Sequence, residues 1–188
     1  ELLDRCLASL QAIPSPKLEV IVVDDQSPDD PEPITRKYPG VLLLRQERNS
    51  GYAAANNRGL EASQGDFLLF LNSDTEVTEE ALRVLMMHLA EQLEVGGVTP
   101  LHREPDGTFQ RTCFRFPDLR FAWFWHSPRH LRQPDHPIVR EYEMREWDHL
   151  SPRRVEHAQT SCLLIRREVY DRIGGMDPNL FLFYNDTD

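Results

Sequence analysis

Three groups of carboxylates and amides punctuate the chain: Asp24-Asp25, Asn72-Ser73-Asp74, and Asn185-Asp186 followed by Asp188. The first two follow short apolar runs, Leu18 to Val23 and Phe67 to Leu71, with the length and composition of buried strands. Aspartate is common in turns and helix caps for local hydrogen-bonding reasons, and that is the ordinary reading of any one pair alone. Two such groups at strand ends carry more meaning, because one sheet edge gathers positions that are distant in sequence. An acid beside an amide there suits a hard divalent cation, Mg2+ or Mn2+, which prefers oxygen ligands and completes its shell with water and phosphate. Asp74 is the candidate anchor. A cation so held neutralises charge on a diphosphate leaving group without consuming a proton. Asp24 or Asp25 can alternatively accept a hydrogen bond from the ring N–H of a pyrimidine.

The elements that must hold these residues follow from periodicity. Leu2, Leu3, Cys6, Leu7 and Leu10 fall at helical spacing, so the chain opens inside an amphipathic helix, broken at Pro14-Ser15-Pro16. After the first strand come a proline-rich loop, a short helix near Ile34 to Lys37, and a second strand, Val41 to Leu44. An alanine-rich helix is expected from Gly51 to Ser63, before the strand that ends at Asn72. Thr78 is a candidate N-cap, with Glu79 and Glu80 in the first turn. Leu82, Leu85, Met86, Leu89 and Leu93 form the apolar face of the helix that follows. Strand and helix alternate, which predicts an α/β domain with a mainly parallel central sheet and ligands outside the carboxyl ends of its strands. Residues 102–154 read as an irregular insertion with one hairpin near Thr108 to Phe116, followed by strand character from Val155 to Ile165 and a helix from Arg166 to Ile173 closed by Gly174.

Composition excludes some classes of function. The net charge of -10 disfavours nucleic acid, whose binders neutralise phosphates with a basic face. Cys6, Cys113 and Cys162 are odd in number and unpaired in spacing, so they read as reduced, buried thiols of a cytoplasmic protein. Apolar runs are far shorter than the roughly 20 residues that span a bilayer, and peripheral association at the inner face of a membrane would come through parts outside these residues. Trp123 and Trp125 suit a small satellite core better than a sugar-stacking wall. Arg153-Arg154 and Arg166-Arg167 suit surface pairing with acids better than an anion site. A phosphoacceptor receiver domain would share the Asp24-Asp25 and Asp74 pattern, but it needs a later lysine, and the only lysines are Lys17 and Lys37.

The segments Val22 to Ser27, Asn49 to Gly59, Phe70 to Asp74, and Leu164-Ile165-Arg166-Arg167 through Gly174-Gly175-Met176-Asp177 to Phe183-Tyr184-Asn185-Asp186, in that order, resemble family-2 glycosyltransferases of the GT-A fold. The resemblance runs the length of the chain and is weakest in the insertion. It implies a single GT-A catalytic domain over 1–188, with 1–100 as a nucleotide-binding half and 101–188 as an acceptor-side half. It implies an inverting hexosyl- or deoxyhexosyltransferase that moves a sugar from a nucleoside diphosphate to an acceptor hydroxyl in polysaccharide biosynthesis. By position, Asp24 and Asp25 match the family's nucleobase-holding acids, and Asn72-Ser73-Asp74 matches its metal motif, with Asp74 on the metal. Asn49, Gly51, Asn56 and Asn57 match a loop and helix beside the nucleotide, and Asp186 matches the general base. UDP or dTDP donors are favoured, since both pyrimidines carry the N–H that an aspartate accepts. Saccharide or lipid-linked acceptors are expected.

Asn185 stands where the family has glutamate, and Gln159-Thr160-Ser161-Cys162 stands where a glycine-containing turn is usual. The family's first strand and the helix after Asp188 lie outside these residues, so the chain reads as an excerpt of a longer protein. The alternative is a catalytically inactive, nucleotide-sugar-binding or scaffold relative.

Overall fold

A computed structural model describes residues 1–14 and 17–180. In chain order they form α1 (Leu2–Gln11), β1 (Val20–Asp24), α2 (Glu32–Thr35), β2 (Val41–Arg45), α3 (Tyr52–Ala62), β3 (Phe67–Leu71), α4 (Glu79–Glu91) and β4 (Gly97–Val98). Next come β5 (His102–Arg103), β6 (Phe109–Gln110), β7 (Cys113–Phe114), α5 (Leu119–Trp125), α6 (Arg129–Arg132), α7 (Pro137–Tyr142), β8 (His157–Ala158), β9 (Cys162–Arg166) and α8 (Arg167–Ile173). Two compact units result. Among the described residues one comprises Glu1–Pro100 with residues 160–180, and the other is Leu101–Gln159. The segment 160–180 thus packs with the first hundred residues, whereas the sequence placed it with residues 101–188.

In the first unit β1 and β2 pair in parallel, from Val20 opposite Val41 to Asp24 opposite Arg45. The other ladder has the order β3-β9-β4, and both of its pairings are antiparallel. Among the described residues, then, only one pairing is parallel, and the expectation of a mainly parallel sheet is corrected. Alternation of strand and helix predicts direction only for consecutive strands. β9 returns from a long excursion and enters between β3 and β4 in the opposite sense.

One apolar cluster backs this unit: Cys6, Leu7, Leu10, Val77, Leu82, Leu85, Leu89 and Leu164, with Val20, Val22, Phe67 and Leu69 packed against it. A second cluster joins Leu60, Leu68 and Phe70. The helix faces read from periodicity are these faces, with Leu2 and Leu93 as exceptions. Leu2 opens α1 and is 56% exposed, and Leu93 lies two residues beyond the end of α4 and is 79% exposed. The Thr78 hydroxyl caps α4 by accepting the Ala81 N–H at 3.1 Å. The opposite end of α4 is held by Arg166, whose guanidinium donates to the carbonyls of Leu89, Val95 at 3.2 Å and Gln92 at 3.3 Å. Arg167 likewise donates to Gly65 O at 2.6 Å and Ser63 Oγ at 2.8 Å. Both arginines therefore satisfy orphan oxygens at helix and loop ends, a role that local sequence does not reveal.

All three cysteines are free and buried, as expected. Burial pushes the Cys6 thiol up to about 11, helped by the charges of Asp74 and Glu76. Burial pushes Cys162 up to about 12, and Cys113 is raised for the same reason. Only the thiolate is a nucleophile, so a pKa near 11 cuts its fraction at pH 8 roughly hundredfold relative to an ordinary thiol. Iodoacetamide at pH 8 should leave all three unlabelled in the native protein and label all three after unfolding, as read by intact mass. Labelling of native Cys6 would mean that α1 does not stay on the core.

In the second unit the hairpin joins β5 to β6 and turns at Asp106-Gly107, where Gly107 has φ 85°. It lies earlier than the expected Thr108 to Phe116, and β7 pairs instead with β8, far along the chain. The insertion also contains three short helices that its mixed composition concealed. Asp118 caps α5 by accepting the Phe121 N–H at 2.7 Å. Trp123 is 82% exposed, so the satellite-core reading of that residue fails. The aromatic core of α5 is built by Phe124 and Phe121 instead, with ring centroids 4.2 Å from His136 and 3.9 Å from Tyr142.

Candidate active site

The acidic pair sits where β1 ends. Asp24 is 8% exposed, and its Oδ1 accepts the Ser27 N–H at 2.9 Å, which closes the turn after the strand. Asp25 reaches across to the loop before α3, where its two oxygens accept the N–H groups of Ser50 at 2.8 Å and Gly51 at 2.7 Å. Gly51 is the N-cap of α3 and has φ 87°, a left-handed conformation that a glycine adopts without steric cost. A carboxylate at this position also faces the positive end of the helix dipole. Asp25 thus fixes the Asn49 to Gly51 loop to the end of β1. Each carboxylate oxygen retains lone-pair capacity for a further donor.

The second strand end is tied to the same helix. The Tyr52 hydroxyl, on the first residue of α3, lies 3.4 Å from Asn72 Oδ1 and 2.7 Å from Thr160 Oγ1. Asn72 itself donates its N–H to Ser161 O at 3.0 Å and accepts from Thr75 N at 3.0 Å and from the Cys6 thiol. The loop that follows is moored to α1 by the Val77 N–H donating to Ser9 Oγ at 3.2 Å and by an Arg5–Glu76 ion pair. Asn72 is therefore held on several sides, while Asp74, two residues on, is exposed. Among the described residues Asp74 has no ion-pair partner, so its carboxylate is open to a ligand.

The remaining residues of the set occupy different positions around α3. Asn49 is exposed on the loop. The Asn56 amide donates to Tyr52 O at 2.9 Å, a contact within the helix. Asn57 uses both ends of its amide on one backbone unit, donating to Met176 O at 2.7 Å and accepting from Met176 N at 2.9 Å. It clasps the segment after α8 so closely that a Cβ on Gly175 would lie 2.4 Å from Asn57 Oδ1. Asp186 lies outside the described residues, as does Asn185. Sequence reasoning did not single out Tyr52 or Thr160. Tyrosine and threonine at these positions carry no local signal, and only the return of β9 beside β3 brings them together.

Among the described residues, no three His, Cys, Asp or Glu side chains converge as a preformed metal cage. An exposed strand-end carboxylate beside an amide fits a metal of the magnesium or manganese type, which commonly takes one or two protein carboxylates and completes its shell with substrate phosphates and water. It does not fit a closed structural site, which would need four protein ligands.

Comparison with known proteins agrees with this arrangement. The family model for Glycosyl transferase family 2 matches residues 1–174. The chain is 28% identical over 198 aligned positions to an N-acetylglucosaminyl-diphospho-decaprenol L-rhamnosyltransferase of Mycobacterium tuberculosis, covering 99% of this chain and 64% of the relative. It is 30% identical to the O-antigen biosynthesis protein RfbC of Myxococcus xanthus over 74% of this chain and 10% of that protein. The chain thus spans somewhat under two thirds of the rhamnosyltransferase and a small part of RfbC. Among solved structures, a mannosyltransferase of Pyrobaculum calidifontis in complex with GDP-Man and Mn2+ superposes with a TM-score of 0.63 at 19% identity, over 95% of this chain and 44% of that one. S. aureus TarS in complex with UDP superposes with a TM-score of 0.63 at 21% identity, over 98% of this chain and 48% of that one. With a family match over nearly all its length and the fold of these transferases, the chain belongs to glycosyltransferase family 2 and adopts the GT-A fold.

Proposed function

We propose that the protein transfers a sugar, with inversion and with the help of Mg2+ or Mn2+, from a nucleoside diphosphate to the hydroxyl of a saccharide or lipid-linked acceptor. The observation that carries this reading is the convergence on the N-terminus of α3. Asp25 holds the loop before that helix, and Tyr52 at its start holds the amide two residues before the open carboxylate of Asp74. Base, diphosphate and metal each need one part of such an edge. Asp24 and Asp25 offer acceptor capacity to a pyrimidine N–H, which favours UDP or dTDP donors. The loop at Asn49 and Gly51 and the side chains of Asn56 and Asn72 belong to the nucleotide side, with Asn57 bracing α3 against the Met176 segment. Asp74 is the protein ligand of the metal, which when bound supplies charge neutralisation to the departing diphosphate.

Asp186 takes the proton from the acceptor hydroxyl as its oxygen attacks the anomeric carbon on the face opposite the leaving group. One displacement inverts the configuration. The lipid-linked class of acceptor is supported by the decaprenol-linked substrate in the name of the mycobacterial relative. Following the reaction by NMR tests the reading. With Mn2+ and a pyrimidine nucleoside diphosphate α-sugar, the product linkage should be β. A retained α linkage would overturn the single-displacement mechanism, and donor binding without transfer to any acceptor would favour the inactive relative that Asn185 suggests.

A further inference from the structure

Several of the most exposed apolar side chains of the second unit lie on α5 and α6. Leu119, Trp123 and Leu131 are 89%, 82% and 77% exposed, and Trp125 is 44% exposed. On α5, Leu119 and Trp123 are four residues apart and share a face. With Arg129, Gln133, His136 and Ile138 they border an open groove of about 530 Å³. The inner face of α5 is already satisfied by Phe124, which is 5% exposed, and by Phe121 stacked on Tyr142. Leu119 and Trp123 therefore contribute nothing to the core of the unit. An isolated exposed apolar residue needs no explanation, but a cluster rimmed by polar groups marks a contact surface.

Charge indicates the partner. Residues 119–134 contain no Asp or Glu, although the chain carries 31 of them and a net charge of -10. Arg120 is neutralised by Asp118 and Glu141. Arg129 and Arg132 on α6 and Arg140 on α7 are exposed, and among the described residues none of them has an ion pair. Exposed apolar side chains that share a groove with Arg129, an arginine without an ion pair among the described residues, match a bilayer, where an apolar interior lies beneath a layer of phosphates and tryptophan prefers the boundary.

We propose that the face formed by α5 and α6 docks on an anionic bilayer. Leu119, Trp123 and Leu131 enter the headgroup region, and Arg129 and Arg132 pair with lipid phosphates. The acidic remainder of the chain is repelled by the same surface, so contact is confined to this face.

Flotation of the purified protein with vesicles tests the proposal, using phosphatidylcholine alone and equal parts phosphatidylcholine and phosphatidylglycerol. The protein should float with the anionic vesicles only, and raised salt should release it. Arg129→Gln and Arg132→Gln should each weaken binding about fivefold, and Leu119→Ser with Trp123→Ser should abolish flotation. These side chains are exposed, so the variants should keep the parent near-UV circular dichroism; if the serine pair does not, the arginine variants carry the test. Failure to float with anionic vesicles, or flotation unchanged by both sets of substitutions, would overturn the proposal. So would a parent dimer that these substitutions convert to a monomer without changing flotation, since a second copy would then cover the face.

Discussion

Asp186→Asn should lower the rate of sugar transfer by about 10²- to 10⁴-fold, the contribution of a positioned general base, and should leave donor affinity within about twofold of the parent. The asymmetry follows from where the carboxylate acts. The acceptor proton is transferred in the transition state, so its loss appears in kcat and kcat/KM together, while ground-state binding of the nucleotide is untouched. If Asp186 instead only capped a following helix, the substitution would cost on the order of 1 kcal/mol of stability and little rate. Steady-state kinetics and a thermal melt on the same preparation separate the two. Transfer close to the parent rate would remove Asp186 from the chemistry and direct attention to Asp188.

The second large effect is expected at the open strand end. Asp74→Ala should abolish the Mn2+-dependent part of nucleoside diphosphate binding and leave the fold intact. Asp74 is exposed and is not among the groups that hold its own loop; that work is done by Asn72, Ser9 and the Arg5–Glu76 pair. Removing an exposed carboxylate with no ion-pair partner among the described residues therefore costs little stability. On the proposed reading the same change removes a charged protein ligand from a metal that otherwise relies on water and phosphate, which is costly for binding. The contrast with Asp25 is informative. That carboxylate carries the loop before α3 on two backbone N–H groups, so its loss would weaken fold and binding together, whereas Asp74→Ala should affect binding alone.

Features governed by local rules were legible from sequence. β3 runs over the predicted residues because five apolar positions are bounded by Gly65-Asp66 and Asn72-Ser73. The Thr78 cap and the Gly174 stop of α8 follow from capping chemistry. The acidic pair and the Asn72-Ser73-Asp74 group were visible because polar residues at strand ends break an otherwise apolar pattern. What sequence did not reveal depends on contacts between distant positions. The antiparallel entry of β9 between β3 and β4, the Tyr52 bridge to Asn72 and Thr160, and the use of Arg166 to hold the end of α4 leave no local trace. Asn57 illustrates the same limit within the site. The family pattern pointed to the nucleotide and gave no sign that its amide is engaged with the Met176 backbone. In the insertion, α5 to α7 are short, and their aromatic residues serve both a small core and an exposed face, so no single period emerges.

The most direct test of the account is isothermal calorimetry of the unaltered protein with UDP and dTDP, with and without Mn2+. The account predicts saturable binding of at least one of them that is strengthened by Mn2+, with the strengthening absent in Asp74→Ala. Binding that is indifferent to Mn2+, or a metal dependence that survives the loss of Asp74, would contradict it.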